Sequence, residues 1–217
     1  MSVHARAREL LPQVLLTLLS LIQALALELL WNNMIEAEYL TGGGVRAVAG
    51  WLQFASIVVG ILLVWLLYTS MVIRFTWVPK TRDSIFPFAI GMLEFALIET
   101  SGPGSLATWL CLMAVVFGVS TYASNDIYVR VLNELEEPGA VEGFFRGSDL
   151  WVAIGSVGAI LVLAIVASLA GGYGGFAVFA FALIIAMLLV QTWLVHTYTR
   201  DALRTAGAEG TEQDDEP

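Results

Sequence analysis

The sequence predicts an all-α polytopic membrane protein, a bundle of six transmembrane helices with N- and C-termini cytoplasmic. Three observations carry this. Hydrophobic residues make up 58% of the 217 and charged residues 13%, about half the ~25% charge of soluble domains and too little to clothe a surface in water. The apolar residues gather into six runs, five of them of the length that a hydrocarbon core of ~30 Å demands. Arginine and lysine fall almost entirely on one side of those runs. A soluble globular enzyme, a disordered chain and a disulfide scaffold are thereby excluded.

The first run, Leu10 to Trp31, follows Arg6 and Arg8 and contains Ala24-Leu25-Ala26, which together resemble a signal peptide. Gln13 and Gln23 within it, and its continuation through Leu29-Leu30-Trp31, argue for a retained span. Gly42-Gly43-Gly44 breaks the chain before the second run, Trp51 to Ile73. The third, Ile85 to Thr100, has 16 residues and covers only ~24 Å at ~1.5 Å per residue, so it needs a thin bilayer or shielding by neighbours. Ser84 can cap it, which puts Pro87 in the first turn, where a missing N–H is harmless.

Ser101-Gly102-Pro103-Gly104-Ser105 makes a hairpin to the fourth run, Leu106 to Ala123. That run is expected to continue as an amphipathic helix as far as Pro138-Gly139, since Ile127, Tyr128, Val131, Leu132 and Leu135 share an apolar face. The fifth and sixth runs, Leu150 to Leu169 and Phe176 to Thr197, are joined by Gly171-Gly172-Tyr173-Gly174-Gly175. Residues 1–200 thus form one transmembrane domain. Residues 201–217 are expected to be an acidic, disordered cytoplasmic tail, because five of the last nine residues are acidic.

Orientation follows from the basic residues. Nine of ten lie at the termini and in the second and fourth connections, and only Arg46 lies on the other side. The positive-inside rule then makes both termini cytoplasmic and the chain a multi-pass protein of the cell membrane. Trp31, Trp51, Trp109 and Tyr173 should mark the outer interface, and Trp77, Tyr122, Trp151, Trp193 and Tyr198 the inner one.

Chemistry is expected where ionisable groups sit at membrane depth, because such groups are costly and face protein or trapped water. Glu28, Glu94 and Glu99 qualify. Rise along each run puts Glu94 near the midplane and both Glu28 and Glu99 roughly 9–11 Å toward the outside. Gln13, Thr17, Ser20, Ala24 and Glu28 lie within about 80° of one another on the first run, a polar stripe that should face helices or a wet cavity. Glu28 and Glu99 share a level, and paired carboxyls would share a proton or a cation.

The other polar positions read as packing. Thr108, Cys111, Gly118, Tyr122 and Asn125 occupy one side of the fourth run, Ala164, Ser168 and Gly172 are spaced by four around the fifth, and Gln191 and Thr192 lie on the sixth. Gly118-Val119-Ser120 with His196 resembles the serine and histidine placement of rhomboid-type intramembrane proteases. The likeness covers only those residues: Thr121 stands where a small residue is expected and no oxyanion-donor motif precedes it, so no catalytic residue is assigned.

No cofactor is expected. Walker loops, dinucleotide fingerprints, paired-histidine helices and haem-attachment motifs are absent from the sequence. The single cysteine excludes an internal disulfide and a cysteine-based zinc site, and His4 and His196 are too near the ends for bis-histidine haem. Absence of a basic patch excludes nucleic acid. The expected partners are the lipid bilayer and either a second copy of the chain or another membrane subunit. The first functional expectation is a small transporter or channel passing a cation, or coupled to protons, through a path containing Glu94, with Glu28 and Glu99 nearer its mouth and Gln13, Thr17 and Ser20 along it. The alternative is a non-catalytic scaffold or accessory subunit whose polar residues lock helices together.

Overall fold

The computed structural model describes residues 3–74, 85–134, 147–170 and 172–213. Among them the chain is all helical: α1 (Val3–Glu36), a short 3₁₀ turn (Glu38–Leu40), α2 (Gly44–Arg74), α3 (Ile85–Glu99), α4 (Leu106–Glu134), α5 (Gly147–Ala170) and α6 (Gly175–Gln213). Every helix except α3 is long and apolar enough to cross a bilayer. The protein is an all-helical membrane protein.

Helix limits follow the expected breaks, and several helices outrun the apolar runs that predict them. α2 begins at Gly44, seven residues before Trp51, because Gly43 and Gly44, at φ of 71° and 73°, turn the chain in a region that favours glycine. α4 runs on to Glu134, as the amphipathic pattern expects; the stretch to Pro138-Gly139 lies outside the described residues, as does Ser84. α6 continues to Gln213, through most of the segment expected to be an unstructured tail, and 214–217 lie outside the described residues.

α4 packs along α5 and α2 along α6, while α1 lies against α3 and α2, and α3 against α4. Although α5 and α6 are consecutive, they touch only sparsely. The core between α2, α4 and α6 is aromatic at one end, where Trp109 meets Phe181 edge-on at 5.1 Å and Tyr173 meets Phe181 at 6.0 Å. Such edge-to-face pairs add about 0.5–1.5 kcal/mol beyond the area they bury. This corrects the interface reading for two of its residues. Trp31 and Trp51 are exposed, but Trp109 and Tyr173 are core side chains, since the centre of a bundle end can bury a ring as readily as headgroups can.

Candidate functional site

Two buried polar centres organise the bundle. The first joins α1, α2 and α3 around Glu94, which is 3% exposed. Gln23, 4% exposed on α1, donates from Nε2 to the Ile61 carbonyl of α2 at 3.1 Å and to Glu94 Oε1 on α3 at 3.4 Å. Glu94 Oε2 is buried without a hydrogen-bond partner. One turn away, Trp65 Nε1 on α2 donates to Ser20 Oγ at 3.2 Å, while Ser20 donates to the Leu16 carbonyl at 2.9 Å. Ser20 and Gln23 are three apart on α1, and Ile61 and Trp65 four apart on α2. The two cross-helix bonds therefore stack on one seam.

α3 reaches this seam because residue 91 is glycine. A β-carbon there would overlap Cγ2 of Ile22 on α1, so the missing side chain sets the spacing of the two helices and with it the Gln23–Glu94 bond.

Of the residues expected on a polar path, only Glu94 and Ser20 take part here. Gln13, Thr17, Ala24 and Glu28 are exposed on the outer side of α1, and Glu99 is exposed at the end of α3. Thr17 donates to its own helix, to the Gln13 carbonyl at 2.9 Å. Apart from Ser20, the stripe thus faces away from the bundle, contrary to the expectation that it turns toward helices or a wet cavity, and the three glutamates do not share a buried site. The physical reason is that α1 sits at the edge of the bundle and fills its inner face with Leu15, Leu19, Gln23, Ala26 and Leu30, leaving the stripe outside.

The second centre was not anticipated. Gln53 on α2 is fully buried, and its Oε1 accepts from Tyr173 Oη at 2.6 Å and from the Gly102 amide at 3.0 Å. One side chain thereby fastens the α3–α4 hairpin and the α5–α6 hairpin to the start of α2. Tyr39 closes the same end, stacked edge-on to Tyr173 at 6.2 Å. Two turn-forming segments with a buried-length glutamine level with them were the available signal, but nothing in one sequence says which hairpin meets which helix.

Burial pushes the Tyr173 phenol above its ordinary value, and the neighbouring Tyr39 adds to the shift; Tyr39 is itself raised by burial. A phenol raised in the folded state stabilises the fold fully below the ordinary value of 10.0, and that stabilisation is lost as pH climbs above it, because the unfolded chain ionises first. The unfolding midpoint in detergent should accordingly be flat between about pH 8 and 9.5 and fall steeply above 10, and Tyr173→Phe should flatten the fall. A midpoint that declines equally in parent and variant counts against Tyr173 as its source.

Three cavities lie away from Glu94. One of about 100 Å³ lies between α2, α4, α5 and α6. A smaller one of about 20 Å³ adjoins it, sharing Ser120 and Ser124, and reaches Phe86 and Ile90 of α3. A groove of about 250 Å³ between α4 and α5 takes in Gly118, Tyr122 and Asn125 from the polar side of α4. Thr108 and Cys111 on that side are exposed, as are Ser168 and Gly172 of the spaced set on α5, where only Ala164 is buried. Ser120 Oγ lies in a cavity wall with no hydrogen-bond partner, and His196 is exposed, so the two do not form a dyad. Near the far end of α4, Arg130 pairs with Asp126 at 3.0 Å. Among the described residues no group of three His, Cys, Asp or Glu is placed to hold a metal ion. Compared with protein-family models, curated proteins and solved structures, the chain matches none.

Proposed function

We propose that the protein is a non-catalytic membrane scaffold or accessory subunit, crossing the cell membrane six times with both termini in the cytoplasm. One observation carries the functional part: Glu94 is enclosed and hydrogen-bonded to Gln23 at the meeting of three helices, as a side chain that locks helices is. A lipid-exposed polar stripe is costly unless another protein covers it. Exposed Gln13, Thr17 and Glu28 on α1 and Glu99 on α3 therefore suit a second membrane subunit or a second copy. The six-span topology rests on the asymmetry of basic residues and on the course of α3. That helix starts with Phe86 beside Tyr122, rings 6.0 Å apart, and is followed by Gly102 bonded to Gln53, a course along the bundle that supports a short crossing by its 15 residues.

A second reading, proton- or cation-coupled transport through Glu94, is favoured by the unpartnered Oε2. Flux in reconstituted vesicles separates the two. The scaffold reading expects the parent to pass protons, sodium and potassium no faster than protein-free vesicles. It also expects Glu94→Leu to loosen α1 by about 0.5–1.5 kcal/mol, the worth of a hydrogen bond, and to weaken complexes recovered from native membranes. Flux through the parent that Glu94→Gln abolishes, with folding intact, would instead establish transport.

A further inference from the structure

The cavity between α2, α4, α5 and α6 has a direction. On α2 it runs from Gly60 to Leu67 and on α6 from Leu188 to Val195, eight residues on each, or about 10 Å from first to last. On α4 it reaches from Met113 to Ser124, about 16 Å. It is thus a slot parallel to the helices, extending from the middle of the bundle toward the end opposite Gln53. One leaflet of a ~30 Å core has the same depth of ~15 Å.

Its chemistry is graded along that direction. The deep half is walled by apolar groups, among them Leu63, Met113, Phe117 and Leu188. The polar side chains, Ser120, Thr121, Ser124 and Gln191, lie from its middle toward the end opposite Gln53, and among the described residues no charged one lines the slot.

The slot also has a side entrance. α5 packs on α4 and α6 on α2, with sparse contact between α5 and α6, so the two helices splay away from their hairpin. Val152 and Ala153 of α5 face the cavity across from Leu194 and Val195 of α6. The outer surfaces of both helices are apolar there, with Val152, Ile154, Leu189 and Val190 exposed, so the gap opens onto hydrocarbon. Apolar cavities of about 150 Å³ stay dry and take up small apolar molecules, and the medium beside this one consists of alkyl chains.

We propose that this slot binds one hydrocarbon chain of a bilayer glycerolipid, its tip beside Met113 and Leu188 and its glycerol-linkage oxygens at the polar rim of Thr121, Ser124 and Gln191. A neutral polar rim fits linkage oxygens, and the charged headgroup remains outside the bundle. The site is separate from Glu94, so it stands whichever reading of that residue holds.

Photolabelling tests it. The full chain is reconstituted in phosphatidylcholine vesicles containing a phosphatidylcholine with a diazirine at mid-chain, irradiated, and its adducts are mapped by mass spectrometry. Adducts on Met113, Phe117 and Leu188 should exceed those on Leu161 and Val162, which are exposed on α5, by roughly tenfold, the ratio that a preference of about 1.4 kcal/mol gives. Gly60→Leu should bring them down to the Leu161 level. A β-carbon at Gly60 meets no atom within 4 Å, so its side chain fills the slot without clashing at the backbone; Ala153→Leu blocks it from the other wall. Ser124→Ala should reduce the preference while leaving the labelled positions unchanged. Equal labelling of slot and outer surface, or labelling of the slot undiminished in both filled variants, overturns the proposal.

Discussion

Gln53→Leu is expected to lower the free energy of unfolding by about 2–6 kcal/mol, because two buried donors lose the acceptor they share, at ~1–3 kcal/mol each. Leucine matches glutamine closely in volume, so the effect is one of hydrogen bonding and not of packing. The Tyr173 hydroxyl and the Gly102 amide both point at Gln53 Oε1. Both residues are buried, so loss of the acceptor leaves each donor without ready access to solvent. Gln53 Nε2 already lacks a partner, and removing it returns part of the cost, which places the expected loss toward the lower half of that range. Unfolding by dodecyl sulfate titration in mixed micelles measures it. The same titration on Tyr173→Phe and on the double variant should give clear non-additivity, since both changes break one bond. A loss within ~0.5 kcal/mol, the level of an ordinary surface substitution, would mean that the two hairpins hold their places without Gln53.

The fold was readable in the sequence to the extent that it depends on length and solvent. Runs of apolar residues between glycine-rich breaks located all six helices, and α3 ends at Glu99, one residue from the expected limit. The burial of Glu94 was readable because a carboxyl inside an apolar run has to face protein or trapped water, and it is 3% exposed. Direction around a helix was not. In water an amphipathic helix advertises its inner face by what is apolar, but in lipid the outer face is apolar too. α1 accordingly spends leucines on both sides: Leu15 and Leu19 are buried while Leu21 and Leu25 are exposed. Gln23 stands about 100° from the centre of the Gln13–Glu28 stripe at ~100° per residue, and only the neighbouring helices decide that its side, and not the stripe, turns inward. Depth likewise placed Glu28 and Glu99 at one level without showing that both look outward. Gln53 and Gly91 were invisible for a related reason: their meaning comes from residues 120 and 69 positions away, Tyr173 and Ile22, and a single chain carries no record of such pairings.

Gly91→Ala should destabilise the protein even though alanine is the better helix former by about 1 kcal/mol. The added β-carbon would overlap Ile22 Cγ2. That methyl sits on a β-branched carbon whose rotamer in a helix is nearly fixed, so it cannot swing aside and the helices themselves must part. Overpacking of this kind costs ~1–3 kcal/mol, and the net loss should remain positive after the helix gain. Separation of α1 from α3 also stretches the Gln23–Glu94 bond, already 3.4 Å long, and uncovers the carboxyl. Removing the obstructing methyls restores the spacing: in the Gly91→Ala background, Ile22→Ala should recover stability, although alone it leaves a void at that contact. Such a reversal of sign is a coupling between neighbours that independent sites do not show. Single and double variants compared by dodecyl sulfate titration, with cysteines placed on α1 and α3 to report their separation, give the measurement. If Gly91→Ala proves neutral, or if Ile22→Ala worsens it by as much as it does the parent, close approach at Gly91 does not set the position of Glu94.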